Sequence, residues 1–283
     1  MSQDPLASPM SDVLLTEEIP CDNNDGVIAK VIINRPNKLN SLNQEVMAEL
    51  KNMCAWAESN DKVRCVIITG AKPLSPPEGK RQKPNAFVAG ADITEFVGKK
   101  SDDIRALFKD NGWEAIWNLS KPTIAMIDGF ALGGGLEVAC SCDMRVASER
   151  SVFGTPEIKL GLMPGGGGTQ RLVDLIGLGK TMEMVLSGEN ISAQEALDIG
   201  LVNHVVNPED LEEKTMAIAQ SIASKSTHTL KVAKQTIRQS LESSLSEGVA
   251  FEAEAFATLF DSEDKEIGVQ AFLNRSTPEW KHR

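Results

Sequence analysis

The segment IDGFALGGGLE, residues 127–137, opens a stretch that continues through FGTPE (153–157) to GLMPGGGGTQR (161–171). An apolar run ends near Asp128, and Gly133, Gly134 and Gly135 follow it closely. This order reads as a buried strand passing through a glycine turn into a helix, a unit of α/β folds. Glycine has no Cβ, so backbone at such a turn can approach a ligand closely. The first amides of the helix have no internal partner and lie at the positive end of its dipole. They can donate to a developing oxyanion, and Glu137 follows within one turn, placed to face the same pocket. Glu157 precedes a second glycine run, Gly165 to Gly168, that again leads into a helical pattern. Backbone donors beside two carboxylates point to an enzyme site rather than a binding module.

Outward from this stretch, VIAKVII at 27–33 is β-branched and mostly apolar, and the runs at 63–69 and 123–127 and the short run at 144–147 follow it. These are expected strands. Val46, Met47, Leu50, Met53, Cys54 and Ala57 recur at helical spacing, which predicts a helix over 43–59. Strand and helix alternate, so the fold class is α/β. Beyond Asn207 the pattern becomes helical only, at 208–224, 227–240, 247–261 and 264–273. The expected organisation is an unstructured tail at 1–10, an α/β core carrying the site at 11–205, and a helical module at 206–283.

Composition excludes several classes. The 283 residues are 41% hydrophobic, ample for a large core. A net charge of −11 argues against a general nucleic-acid binder, whose surface must be positive to displace counterions. It leaves room for an anionic small ligand held by local basic residues. No apolar run reaches about 18 residues, so no membrane span is expected. The start lacks the basic-then-apolar pattern of a secretory signal. Five cysteines without a CxxC spacing fit a reducing compartment, read here as the cytoplasm. In a chain with three histidines, Cys140 and Cys142 read as buried thiols, and no metal is expected.

Two further motifs bear on chemistry. In NAFVAGADI (85–93) a strand meets Gly90, and Asp92 is expected to cap a short helix, leaving the Ala91 amide directed outward. Thr155, Pro156 and Glu157 have the order of an N-cap, a first helical position and an acid facing the dipole. DLIGLGKT (174–181) ends like a phosphate loop but carries Asp174 where that loop needs glycine. Neither glycine run matches GxGxxG, and GxSxG is absent, so dinucleotide binding and serine hydrolysis are unsupported.

INRP (33–36) with LNSL (39–42), GADI (90–93), Gly129 through Glu137, Pro156-Glu157 and residues 164–171 form five ordered blocks. Together they resemble the crotonase, or enoyl-CoA hydratase/isomerase, superfamily, and most closely its two-glutamate hydratases. The resemblance runs from about Val13 to the C-terminus. It implies a spiral core of ββα repeats and a helical C-terminal region that mediates trimers or dimers of trimers. It also implies a CoA thioester substrate and no separate cofactor, since CoA is part of the substrate. By position, the oxyanion-hole amides fall on Ala91 and Gly134. Glu137 and Glu157 fall on the pair that holds the water, Glu137 helping to activate it and Glu157 supplying the proton to Cα. Ala89, Gly90, Asp92, Ile93, Gly133, Pro164 and Gly165 are the implied substrate-binding positions.

The implied reaction is reversible hydration of short-chain 2-enoyl-CoA to 3-hydroxyacyl-CoA, including dehydration of 3-hydroxypropionyl-CoA. A Δ3-Δ2 enoyl-CoA isomerase stays open, as does a catalytically silent scaffold or RNA-binding member. Phe96, Val97 and Leu162 are expected to set pocket depth. The stretch at 71–85, with Lys72, Lys80, Arg81 and Lys83, reads as an exposed loop longer than is usual in relatives. A place near the CoA phosphates and an idle surface insertion are both open for it. Thr94 stands where relatives often carry a lysine.

Overall fold

The computed structural model describes residues 8, 9, 11–76, 78–109 and 111–283. The expected tail at 1–10 lies outside the described residues except for positions 8 and 9. In chain order the strands are β1 (Leu14–Pro20), β2 (Val27–Ile33), β3 (Val63–Gly70), β4 (Ala86–Val88) and β5 (Thr123–Ile127). They continue as β6 (Phe130–Leu132), β7 (Met144–Ser148), β8 (Val152–Gly154), β9 (Ile191–Ser192) and β10 (His204–Val206). The helices begin with α1 (Gln44–Ser59), α2 (Ser101–Phe108), α3 (Gly112–Asn118), α4 (Gly134–Ser141) and α5 (Gly168–Ser187). After them come α6 (Ala193–Asp198), α7 (Leu211–Ala223), α8 (Thr227–Gln239), α9 (Leu245–Thr258) and α10 (Glu263–Asn274).

Six strands form one sheet in the order β1-β2-β3-β5-β7-β10, antiparallel at β1–β2 and parallel at every other pair. A second sheet runs β4-β6-β8-β9, antiparallel only at β8–β9. Three strands of the first sheet, β3, β5 and β7, are each followed by a short strand of the second and then by helix. The units are β3-β4 with α2 and α3, β5-β6-α4, and β7-β8-α5. This is the ββα spiral that the sequence resemblance implies.

β3, VRCVIITG, shows why these runs become strands. It is buried at every position but its last, because both faces of the sheet are covered. Val66 and Ile68 join the core beneath α1 and between the sheets, whereas Cys65 and Ile67 join the cluster beneath α7. Burying a side chain of this size contributes about 1.5–3 kcal/mol. All five cysteines are free and buried. Burial pushes Cys140 up to about 11 and Cys142 up to about 12, so these are unreactive thiols.

α1 starts where the Asn43 side chain accepts a hydrogen bond from Val46 N at 3.0 Å. Asn43→Ala removes this cap and is expected to cost about 1 kcal/mol. A lowered denaturation midpoint with activity intact is the expected result, and an unchanged midpoint would contradict it. α5 carries the whole of DLIGLGKT and is broken at Gly177 (φ 77°), so that segment is no strand-to-helix phosphate turn. α7 packs on the six-stranded sheet, and α8 is pinned by Lys234 and Arg238, each 2.7 Å from the Asp143 carboxylate.

Candidate active site

Two glycine turns converge on Glu137. The first is Gly133, with φ 51° and ψ −126°, a conformation open to glycine; a Cβ there would stand 2.9 Å from Glu157 Oε1. It delivers the chain into α4, whose first turn carries Glu137, only 3% exposed. The second turn is Gly165 to Gly168. Gly166 N and Gly168 N donate to Glu137 Oε1 at 2.7 and 2.8 Å. A Cβ at Gly166 would meet the Trp113 ring at 2.5 Å, and one at Gly168 would meet Glu137 Oε1 at 2.9 Å. The glycine run is therefore what lets backbone amides close on this carboxylate.

Burial pushes the Glu137 carboxyl up to about 7, and the charge of Glu157 adds to the rise; the Gly168 and Gly166 amides and the Arg171 cation oppose it. Glu157 lies on the 3₁₀ turn Pro156–Leu160 after β8, and burial raises its pKa too. Its Oε2 is buried without a hydrogen-bond partner. Two carboxylates with raised pKa values in one site can divide acid and base roles near neutral pH.

The amide donors sit beside this pair. Gly134 is the first residue of α4, so its N–H belongs to the unsatisfied first turn. A Cβ on Gly134 would lie 3.8 Å from Ala91 N, which brings the two expected donors together. Ala91 pairs with Leu42 in an isolated parallel bridge: Leu42 N donates to Gly90 O at 2.9 Å and Asp92 N to Leu42 O at 2.7 Å.

Both glutamates line one cleft of about 450 Å³. Ala89, Gly90, Ala91, Ile93, Gly133, Gly134 and Gly165 line it as well, with Phe96 and Leu162. Three expected positions do not line the cleft. Asp92 stays out of the cleft, because its carboxylate is taken by Arg35 at 2.9 Å and by the Thr94 hydroxyl at 2.7 Å. Pro164 is buried, packed where a Cβ on Gly168 would meet it at 3.1 Å. Val97 is 83% exposed and faces solvent. Neither expected cap forms: Asp92 is bound as above, and Thr155 Oγ1 donates to Met184 O at 3.2 Å. The basic side chains of the 71–85 loop are exposed, with Lys83 Nζ donating to Asn37 O at 2.6 Å.

Two site residues lacked an assigned role in the sequence. Trp113 on α3 is wedged between the glycine turns, donating from Nε1 to Gly134 O at 3.0 Å and stacking on Phe108. Arg171 on α5 donates to Gly166 O and to Glu114, both at 2.8 Å, with its guanidinium over Trp117. α3 thus braces both turns at once. Its start was signalled by Asn111, whose side chain accepts from Glu114 N. A second cleft of about 530 Å³ lies under α8, but it holds neither glutamate. Among the described residues, no group of three or more His, Cys, Asp or Glu side chains is arranged to hold a metal ion.

Comparison with known proteins shows the family. The enoyl-CoA hydratase/isomerase family model matches residues 23–283, and the chain belongs to that family. It is 40% identical over 253 residues to the short-chain-enoyl-CoA hydratase of Clostridium acetobutylicum, covering 89% of this chain and 93% of that protein. It is also 40% identical over 255 residues to the 2,3-dehydroadipyl-CoA hydratase of Escherichia coli K12, covering 89% and 94%. Among solved structures, the enoyl-CoA hydratase of Bacillus anthracis superposes with a TM-score of 0.86 at 34% identity, covering 96% of this chain and all of that one.

Proposed function

We propose that this chain catalyses the reversible hydration of short-chain 2-enoyl-CoA thioesters to 3-hydroxyacyl-CoA. The observation that carries this reading is the single cleft in which Glu137, Glu157 and the backbone of Ala91 and Gly134 meet. Addition to an α,β-unsaturated thioester builds negative charge on the carbonyl oxygen. The Ala91 and Gly134 amides receive that charge, each donor being worth about 3–4 kcal/mol. Glu137 takes a proton from the water as its oxygen bonds to Cβ. Glu157, whose pKa is raised by burial, delivers a proton to Cα. The reverse sequence is dehydration, so 3-hydroxypropionyl-CoA and 3-hydroxybutyryl-CoA are substrates in that direction. No cofactor takes part, CoA being the handle of the substrate.

The short-chain name of one relative supports the chain-length class. The test is loss of the enoyl-thioester absorbance with crotonyl-CoA. Fast loss supports the reading. Inertness toward crotonyl-CoA, with conversion of a 3-enoyl-CoA to its 2-enoyl isomer, would replace it with isomerase.

The C-terminal helices carry a second part of the proposal. Leu245, Phe256 and Phe272 are 85%, 62% and 84% exposed, more apolar surface than a lone chain ordinarily leaves bare. Other copies of this chain cover it in a trimer or a dimer of trimers, as sedimentation will read directly. The compartment proposed is the cytoplasm, where the five free thiols stay reduced.

A further inference from the structure

Residues 35–42 form a rigid turn after β2. Asn40 takes the left-handed conformation (φ 57°), accepts from Arg35 N at 3.0 Å, and donates to Ala71 O and Ala86 O at 2.9 and 2.8 Å. The turn is thereby tied to the end of β3 and to β4. Segment 89–92 is laid along it: Ala89 N donates to Leu39 O at 3.0 Å, and Gly90 O and Asp92 N both bond Leu42. With both neighbours turned toward Leu42, the Ala91 amide between them faces the other way.

Arg35 joins the two segments. Its Nη1 donates to Ser41 O at 2.6 Å and Ser41 Oγ at 3.2 Å, and its Nη2 donates to Asp92 Oδ2 at 2.9 Å. The paired side chains are only 15% and 10% exposed. A planar guanidinium can hold both partners at once, which a lysine ammonium cannot do in the same geometry. The Thr94 hydroxyl and the Arg35 guanidinium hold the Asp92 carboxyl down at about 2, so the pair stays ionised throughout the working range of pH. Neither Arg35 nor Asp92 lines the cleft.

We propose that the Arg35–Asp92 clamp positions the Ala91 amide as an oxyanion donor, making Arg35 a positioning residue that acts through Asp92 and Ser41 without touching substrate. The proposal rests on the hydratase reading. Its specific signature is polarisation of a bound thioester carbonyl, which a residue needed only for folding would not alter in a folded protein.

The test is the infrared carbonyl stretch of butyryl-CoA, a saturated thioester that cannot be hydrated, bound to each variant. Steady-state kinetics with crotonyl-CoA accompany it. Wild type is expected to lower the carbonyl frequency on binding, and Glu137→Gln is expected to keep that shift. Arg35→Met and Asp92→Asn are expected to lose most of it, with kcat down about 10–100-fold and KM within about 3-fold. Arg35→Lys, which keeps the charge and one partner, is expected to fall between. Should Arg35→Met fail to fold, Asp92→Asn is nearly isosteric and carries the test alone. A wild-type shift retained in folded Arg35→Met and Asp92→Asn, with full kcat, would overturn the clamp and leave the hydratase standing. A wild type that binds butyryl-CoA without any shift would overturn both.

Discussion

Glu157→Gln is expected to slow hydration of crotonyl-CoA by about 10²–10⁴-fold, the usual worth of a positioned acid or base. KM should change far less, because Gln fills the same volume and the backbone donors remain. The reason lies at Oε2, which is buried and has no hydrogen-bond partner in the protein. That atom is free to hold and release a proton, and an amide there can release none. Glu137→Gln should lose activity on the same scale for a complementary reason. Its Oε1 can keep the Gly166 and Gly168 bonds, so the turn survives while the base is gone. Two groups acting as one unit are not additive, so the double variant should be little slower than either single one. Isomerase chemistry needs one shuttle and no water, so there one of the two variants would stay active. Single-turnover loss of enoyl absorbance decides this, and either folded variant retaining more than about a tenth of wild-type kcat would rule out the paired roles.

The parts of this fold that were legible in the sequence are those whose cause is local. β2, β3 and β5 are runs rich in β-branched residues, and these strands and β7 are largely buried, a pattern recognisable without partners. The four C-terminal helices were legible from their spacing, within a few residues at each end. Of the second sheet only β4 was, because β6, β8 and β9 are two or three residues long and exist through their register with their neighbours. Glu137 and Glu157 could be singled out because each stands within a few residues of glycine in the chain, Glu137 just after Gly135 and Glu157 between Gly154 and Gly161. Trp113 and Arg171 could not, since the partners that give them a role lie far away: Glu114 and Arg171 are 57 positions apart. The failed caps make the same point. Asp and Thr before a short helix satisfy a local rule, but Arg35 and Met184, 57 and 29 positions away, hold the side chains instead. Long-range partners override local propensity most often at the site, where catalysis rather than stability sets the geometry.

Glu137 should also make the protein less stable as pH rises, and Glu137→Gln should relieve the loss. The carboxyl titrates near 4.5 when unperturbed and is pushed up to about 7 in the fold, chiefly by burial. The folded state therefore binds the proton more tightly than the unfolded chain does. That preference supports the fold fully below the unfolded value, fades as pH climbs toward 7, and is absent above it. At one pKa unit per 1.36 kcal/mol, the difference in unfolding free energy between Glu137→Gln and wild type should move by about 2 kcal/mol in favour of the variant between about pH 5.5 and 8.5. The starting point is kept above the isoelectric point of about 4.9, where solubility is lowest. Glu157, whose pKa is also raised by burial, adds a change of the same sign to both proteins, so the difference between them reports Glu137. Urea denaturation of both proteins across this range is the measurement, and a difference flat with pH would mean that Glu137 is already ionised in the fold at low pH. A rising difference would show a carboxylate kept at a cost in stability for the proton it can move near neutral pH.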